Sequence, residues 1–190
     1  MRMWLYPVSL ALLLAARSGP ALVQQSVTLY APRDKEAKKY DEGRSWFSFE
    51  RGVRGSADPQ AAGDIWDLGY GFLAIGGEDW LMVSHRGEDR SVIKDLGWLG
   101  WSDSYSVPIL TPLPAPEKGK RRNITVDASA RTGKEWEKTN GIFAKAVVGH
   151  MYAVRVKREG TDYYALFRVE GLEQGYSCTI SWMLVPPPVQ

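Results

Sequence analysis

Hydrophobic and polar positions alternate most regularly in the last third of the chain. His150, Tyr152, Val154 and Val156 fall on one side of a two-residue period, with Arg155 and Lys157 on the other. A β-strand is the element that sends successive side chains to opposite faces. The pattern returns from Tyr163 to Glu170, where Ala165, Phe167 and Val169 oppose Arg168 and Glu170. It returns once more from Cys178 to Trp182, with Cys178, Ile180 and Trp182 on one face. Arg158 to Thr161 reads as a turn, and Gly171 to Gly175 as a second connection. Three strands joined by short turns predict an antiparallel meander with one buried face. Pro186, Pro187 and Pro188 end it, and residues 186–190 are expected to be a disordered tail.

Shorter runs of the same kind precede the meander. Ser26 to Tyr30 alternates, and Trp46-Phe47-Ser48-Phe49 is a short aromatic strand closed by the turn-forming Arg51-Gly52-Val53-Arg54-Gly55. The stretch from Asp64 to Ile75 carries Ile65, Trp66, Leu68, Tyr70 and Phe72, interrupted by Gly69 and Gly71. Glycines inside a strand predict a bulge or a sharp twist. Asp79 to His85 and Ser91 to Gly97 add two more strands, the second followed by Trp98 and Trp101. Four prolines between Pro108 and Pro116 remove backbone donors, so residues 108–122 are expected to form a long surface loop with a basic tip at Lys118 to Arg122. Arg33 to Lys39 has no apolar face, and Lys134 to Lys138 is the best short helical candidate. The fold class is therefore mostly β, an antiparallel sandwich or a closed barrel ending in the three-strand meander.

The N-terminus follows a different rule. Met1-Arg2-Met3-Trp4 leads into an apolar run from Leu5 to Ala16, and small residues follow at Ser18, Gly19 and Ala21. A positive start, a short apolar core and small residues beyond it make up a secretory signal peptide. The run is shorter than the roughly 20 apolar residues that span a bilayer. Residues 1–21 are expected to be this leader, cleaved after Ser18 or after Ala21, and residues 22–185 to be one β-rich domain. The mature protein is then secreted, periplasmic or extracellular, with no membrane association after cleavage.

Charge narrows the range of partners. The whole chain has a formal charge of +2, and the leader contributes Arg2 and Arg17 with no acid. Without those two, the 24 basic residues fall to 22 and match the 22 acids. A balanced chain has no electrostatic footprint for nucleic acid or an anionic membrane. The single Cys excludes an internal disulfide.

Catalytic motifs are missing: no Gly-x-Ser-x-Gly elbow, no phosphate-cradling glycine loop, no zincin helix. Cys178 lies on an apolar strand face, where a thiol is a small inert hydrophobe. Acids are numerous, among them Asp64, Asp67, Glu78, Asp79, Glu88, Asp89, Asp95, Asp103, Asp127 and Asp162, and a hydrolase would need two of them across a cleft. No run of alternating acids before a glycine suggests a calcium loop. Trp46, Trp66, Trp80, Trp136 and Trp182 read as core. Trp98 and Trp101, beside Ser102-Asp103-Ser104, are the candidates for exposed stacking on a flat ligand such as a sugar ring. His85 and His150 share strand parity with apolar neighbours; each reads as a hydrogen-bonded strand residue, and the alternative joins them on one metal or haem iron. Asn123-Ile124-Thr125 fits a glycosylation sequon.

Trp46-Phe47-Ser48-Phe49-Glu50-Arg51-Gly52, Asp64-Ile65-Trp66-Asp67-Leu68, Gly149 to Val154 and Tyr163 to Val169 together resemble secreted bacterial β-proteins of the HmuY-like kind. The resemblance covers about half of the mature chain. It implies an exported β-fold opened by an aromatic strand and closed by a meander. Haem-binding members use two histidines as axial ligands, and this chain has two, His85 and His150. The expectation is an exported, non-catalytic binding or structural module whose ligand or protein partner is undefined. It has no catalytic, cofactor or metal residues assigned and no cofactor. Haem capture by the His85–His150 pair is the alternative, and a secreted hydrolase comes last.

Overall fold

The computed structural model describes residues 24–32, 41–55, 66–73, 77–84, 89–104, 106–112 and 141–189. The leader, Arg33 to Lys39, His85, Lys118 to Arg122, the sequon at Asn123 and the Lys134–Lys138 segment with Trp136 lie outside the described residues.

Among the described residues, ten strands form two antiparallel sheets. The strands are β1 (Gln25–Tyr30), β2 (Trp46–Ser48), β3 (Val53–Arg54), β4 (Leu68–Leu73), β5 (Glu78–Val83), β6 (Val92–Trp98), β7 (Phe143–Lys145), β8 (His150–Arg158), β9 (Thr161–Glu173) and β10 (Ser177–Val185). One sheet runs β1-β10-β9-β8-β6 and the other β3-β2-β4-β5-β7. Both are open, so the fold is a sandwich and the closed-barrel alternative is set aside. A single 3-10 turn, Glu42–Ser45, is the only helical element among the described residues.

The predicted meander is β8, β9 and β10. Its core-facing residues Tyr152, Val154, Val156, Ala165, Phe167, Val169, Cys178, Ile180 and Trp182 meet Phe47, Phe49, Leu68, Tyr70, Leu81 and Val83 from the other sheet. Aromatic rings make the joint: Phe167 stacks on Tyr152 at 4.9 Å and on Phe49 at 6.0 Å, while Trp182 meets Phe47 edge-on at 5.2 Å.

Several local expectations are corrected. Gly171 is part of β9, which runs on to Glu173, so the connection to β10 is only Gln174-Gly175-Tyr176. Val53 and Arg54 pair with β2 as a strand. The β4–β5 register is unshifted, so Gly69 marks no bulge; a Cβ there would sit 3.3 Å from the Met82 side chain, and close packing is its reason. The bulges fall at Leu96, opposite the step between Tyr152 and Met151, and at Glu170, opposite the Thr179–Ile180 step.

The largest correction concerns the meander's outer face. Met151, Ala153, Tyr164 and Leu166 point away from the sandwich core, yet they are buried. Residues 99–104 and 106–112 cross them as a strap, inserting Leu110 and leaning Leu99, Trp101 and Val107 on the same cluster. So residues 108–112 are not a free loop. Proline explains why the strap is no eleventh strand, because it cannot supply a ladder of donors. Side chains hold it instead. The Arg155 guanidinium donates to the Leu110 carbonyl at 2.9 Å, the Leu110 N–H donates to the Tyr164 hydroxyl at 3.2 Å, and Arg168 Nε donates to the Leu99 carbonyl at 3.1 Å. Arg155 and Arg168 are therefore clamps rather than simply solvated.

Candidate functional site

The sequence Asp95-Leu96-Gly97-Trp98 builds the site. Gly97 takes φ +79°, a left-handed conformation that glycine adopts without steric cost, and its N–H donates to Asp95 Oδ1 at 2.7 Å. The extra residue Leu96 shifts the register, so Trp98 comes to lie opposite His150 at the start of β8.

His150 is placed by the turn before it. Its N–H donates to the Val147 carbonyl at 3.1 Å. The buried Tyr152 hydroxyl pins that turn, donating to the Lys145 carbonyl at 2.7 Å and accepting from the Val147 N–H at 3.0 Å. Burial, with the Asp95 charge nearby, pushes the Tyr152 phenol far above its ordinary range, so it stays a hydroxyl. His150 Nδ1 lies 2.9 Å and 3.1 Å from the two Asp95 oxygens. A carboxylate only accepts, so Nδ1 carries the proton shared with Asp95.

Trp98 stands beside this pair. Its ring meets the His150 imidazole edge-on, centroids 5.2 Å apart. The six-membered half of the indole lies against Gly149, where a Cβ would come within 2.3 Å of a ring carbon. Gly149, at φ +84°, leaves room for the ring that any other residue would fill. Trp98 is nonetheless 74 % exposed, and the neighbouring Val148 is 42 % exposed. The result is an indole held on one side by Gly149 and His150 and open to water on the other.

The two tryptophans singled out by sequence part company here. Trp101 is half-buried in the strap, its indole N–H donating to Ser181 Oγ at 2.8 Å. Among the described residues Trp98 is the tryptophan that presents an open ring. Trp46, Trp66, Trp80 and Trp182 are core. Cys178 is fully buried, and burial pushes its thiol up to about 12, which keeps it protonated and unreactive.

His85 lies outside the described residues, but its flanks are placed. Ser84 donates from its backbone N–H to the Asp67 carbonyl at 3.4 Å and bonds Asp89 through its hydroxyl. Arg90 donates to the Lys157 carbonyl at 2.7 Å. These contacts hold both flanks at the Lys157–Arg158 end of β8, seven residues from His150, about 23 Å at a strand's rise. The position of His85, and with it the His85–His150 pair, lies outside the described residues.

Of the acids considered for a hydrolase, Asp64, Glu88 and Asp127 lie outside the described residues, and several of the others have structural partners. Asp67 is fully buried, accepting from the Phe49 N–H at 2.8 Å and the Tyr163 hydroxyl at 2.7 Å while paired with Arg158. Asp79 is buried, accepting from the Tyr70 hydroxyl at 2.6 Å and the Gly175 N–H at 2.9 Å. Asp162 takes Arg155 and Lys157. Among the described residues no three His, Cys, Asp or Glu gather into a metal cage, and no helix is long and apolar enough to cross a membrane.

Sequence reasoning counted Asp95 only among the acids and missed both its pairing with His150 and the part played by Gly149. The Asp-x-Gly-Trp spacing was the available signal, since it writes a bulge directly before an aromatic residue. Comparison with family models, with curated proteins and with solved structures found no match for this chain.

Proposed function

We propose that this chain is an exported, non-catalytic β-sandwich module that meets its ligand through Trp98 at the His150 end of the meander sheet. The observation that carries the reading is an indole 74 % exposed yet braced by Gly149 and His150. A tryptophan buries about 150–250 Å² when covered, so covering one open face removes roughly 100 Å² of apolar surface from water. At about 25 cal/mol/Å² that is on the order of 2–3 kcal/mol from one ring, already fixed before the ligand arrives. The leader-like N-terminus and the balanced mature charge support an exported protein with a neutral partner.

Haem capture is the second reading, and one contact favours it. Asp95 fixes the His150 ring through Nδ1, which is how an outer carboxylate orients a ligating imidazole. In this reading His150 is one axial ligand and His85, which lies outside the described residues, is the other, as the HmuY-like resemblance implies.

Thermal-shift screening of the mature protein tests both readings with neutral oligosaccharides, haem, choline and a peptide library. A ligand that binds the folded state raises Tm with its concentration. The proposal expects any stabilising ligand to lose its effect on Trp98→Ala, whose own Tm stays near wild type. A ligand that stabilises both proteins equally contradicts it. If the stabiliser is haem and His150→Ala removes the effect, the second reading takes over. Export is checked by the mass of protein from the native host, expected to begin at Gly19 or Leu22; an intact Met1 contradicts it.

A further inference from the structure

We propose that the strap, residues 99–104 and 106–112, is a releasable cover that opens as one unit from the outer face of the meander while both sheets stay folded. Among the described residues, the strap's one backbone–backbone bond is internal, from the Asp103 N–H to the Gly100 carbonyl at 3.1 Å. The sheet beneath closes its own ladders, β6 with β8, β8 with β9 and β9 with β10. Lifting the strap therefore breaks no ladder bond. Most of the strap already faces water: Ile109 is 58 % exposed, and Ser102, Asp103, Ser104, Ser106 and Thr111 are exposed too. Leu110 is its one buried residue among those described.

Each clamp on the sheet keeps a second partner when the strap leaves. Arg155 gives Nη1 to the Leu110 carbonyl at 2.9 Å, while its Nε and Nη2 hold Asp162 at 2.9 Å each. Arg168 gives Nε to the Leu99 carbonyl at 3.1 Å, and its Nη1 pairs with Glu170. Ser181 accepts the Trp101 indole N–H at 2.8 Å, and its own hydroxyl donates to Glu170. Release therefore strands no charge on the sheet, which is the penalty that makes breaking one partner of a pair expensive. The Leu99 and Leu110 carbonyls and the Tyr164 hydroxyl pass to water. What resists opening is the apolar contact of Leu110, Leu99, Trp101 and Val107 with the sheet's outer face. Both ends of the strap rest on that one cluster, so they lift together. Segments with few buried apolar groups and partly exposed hydrogen bonds open below the free energy of global unfolding. The sandwich core is untouched, because Phe167 faces the other way, against Tyr152 and Phe49.

Native-state hydrogen exchange of the nitrogen-15-labelled protein across a urea series tests this. The reporters are the Leu110 amide, which donates to the Tyr164 hydroxyl at 3.2 Å, and the Trp101 indole N–H, one near each end of the strap. The references are the amides of Phe167 and Ile180, in strands paired on both sides. After correction for intrinsic rates, the two reporters should share one opening equilibrium with a shallow urea slope. They should exchange at least about a hundredfold faster than the references, whose slope is that of global unfolding. Phe167→Ala should speed the references by at least about a hundredfold and leave the reporters within about twofold of wild type, because the ring packs alike whether the strap is closed or open. Should that variant fail to fold, Ile180→Val takes its place and should speed the references by roughly two- to tenfold, again without moving the reporters. Reporters that follow the urea slope of the references, or that accelerate with them in the core variant, overturn the proposal. Two reporters with different opening equilibria overturn the single unit.

Discussion

Replacing Gly149 with alanine should damage the molecule in two separable ways. The first is backbone strain: φ at this residue is +84°, and an L-residue held in left-handed space costs roughly 1–2 kcal/mol. The second is steric. The new methyl group would arrive 2.3 Å from Cζ3 and 2.7 Å from Cε3 of Trp98, closer than any real contact. Trp98 is mostly exposed, so its ring can leave for solvent, giving up its edge-on contact with His150 at roughly 0.5–1.5 kcal/mol. Gly149→Ala should therefore cost about 2–3 kcal/mol in the wild-type background. With Trp98→Ala already in place there is no ring to displace, and the cost should fall to the strain alone, about 1–2 kcal/mol. Urea unfolding of the four proteins in this double-mutant cycle measures the difference. A coupling near 1 kcal/mol is expected, above the roughly 0.3–0.5 kcal/mol scatter of independent sites. Equal costs in the two backgrounds would refute the claim that Gly149 seats the indole.

Phe167→Ala should cost about 3–5 kcal/mol by denaturant unfolding, because the ring is fully buried between Tyr152 and Phe49, whereas Arg168→Ala should cost about 1 kcal/mol through the lost contact with the Leu99 carbonyl; equal effects would reverse the facing of β9. Asp67→Ala should cost about 3–5 kcal/mol, since it strands a largely buried Arg158 guanidinium and two donors, and a loss under about 1 kcal/mol would contradict its role as a buried hub. Asp162, which Arg155 and Lys157 hold down to about 2 from an ordinary 3.8, favours folding above pH 4, and that contribution is lost as pH falls from about 4 toward 2. The Asp162→Asn variant should flatten this part of the stability–pH curve; an unchanged acid limb would contradict the pairing.

The meander was readable because its alternation is a direct image of the pleat: Val154 and Phe167 face the core, and the residues next to them face away. What the alternation concealed was the second covered face. Met151 and Ala153 in β8, with Tyr164 and Leu166 in β9, make those strands nearly continuous apolar runs, the mark of a strand buried on both sides. The cover itself was hard to anticipate, because the strap binds through Arg155, Tyr164 and Arg168 rather than through a strand ladder. β7 escaped because three residues carry too little period to register. The candidate site was legible only in outline. Trp98 and Trp101 look alike as letters, and a one-residue bulge at Leu96 helps to decide which one is left in water. His150 was expected to bond an acid or a carbonyl, and Asp95 is that acid, brought across the β6–β8 ladder by a register no local pattern encodes.

The central claim is that Trp98 is where this protein meets its ligand, and its indole N–H resonance reports on that directly. In nitrogen-15-labelled mature protein, titration with the panel of oligosaccharides, haem, choline and peptides should move the Trp98 indole signal and the amides of Asp95, Gly97, Gly149 and His150. The indole signals of the buried Trp46, Trp66 and Trp182 should stay in place. A ligand that binds while the Trp98 signal remains still, or a panel to which the Trp98 signal never responds, would contradict the account.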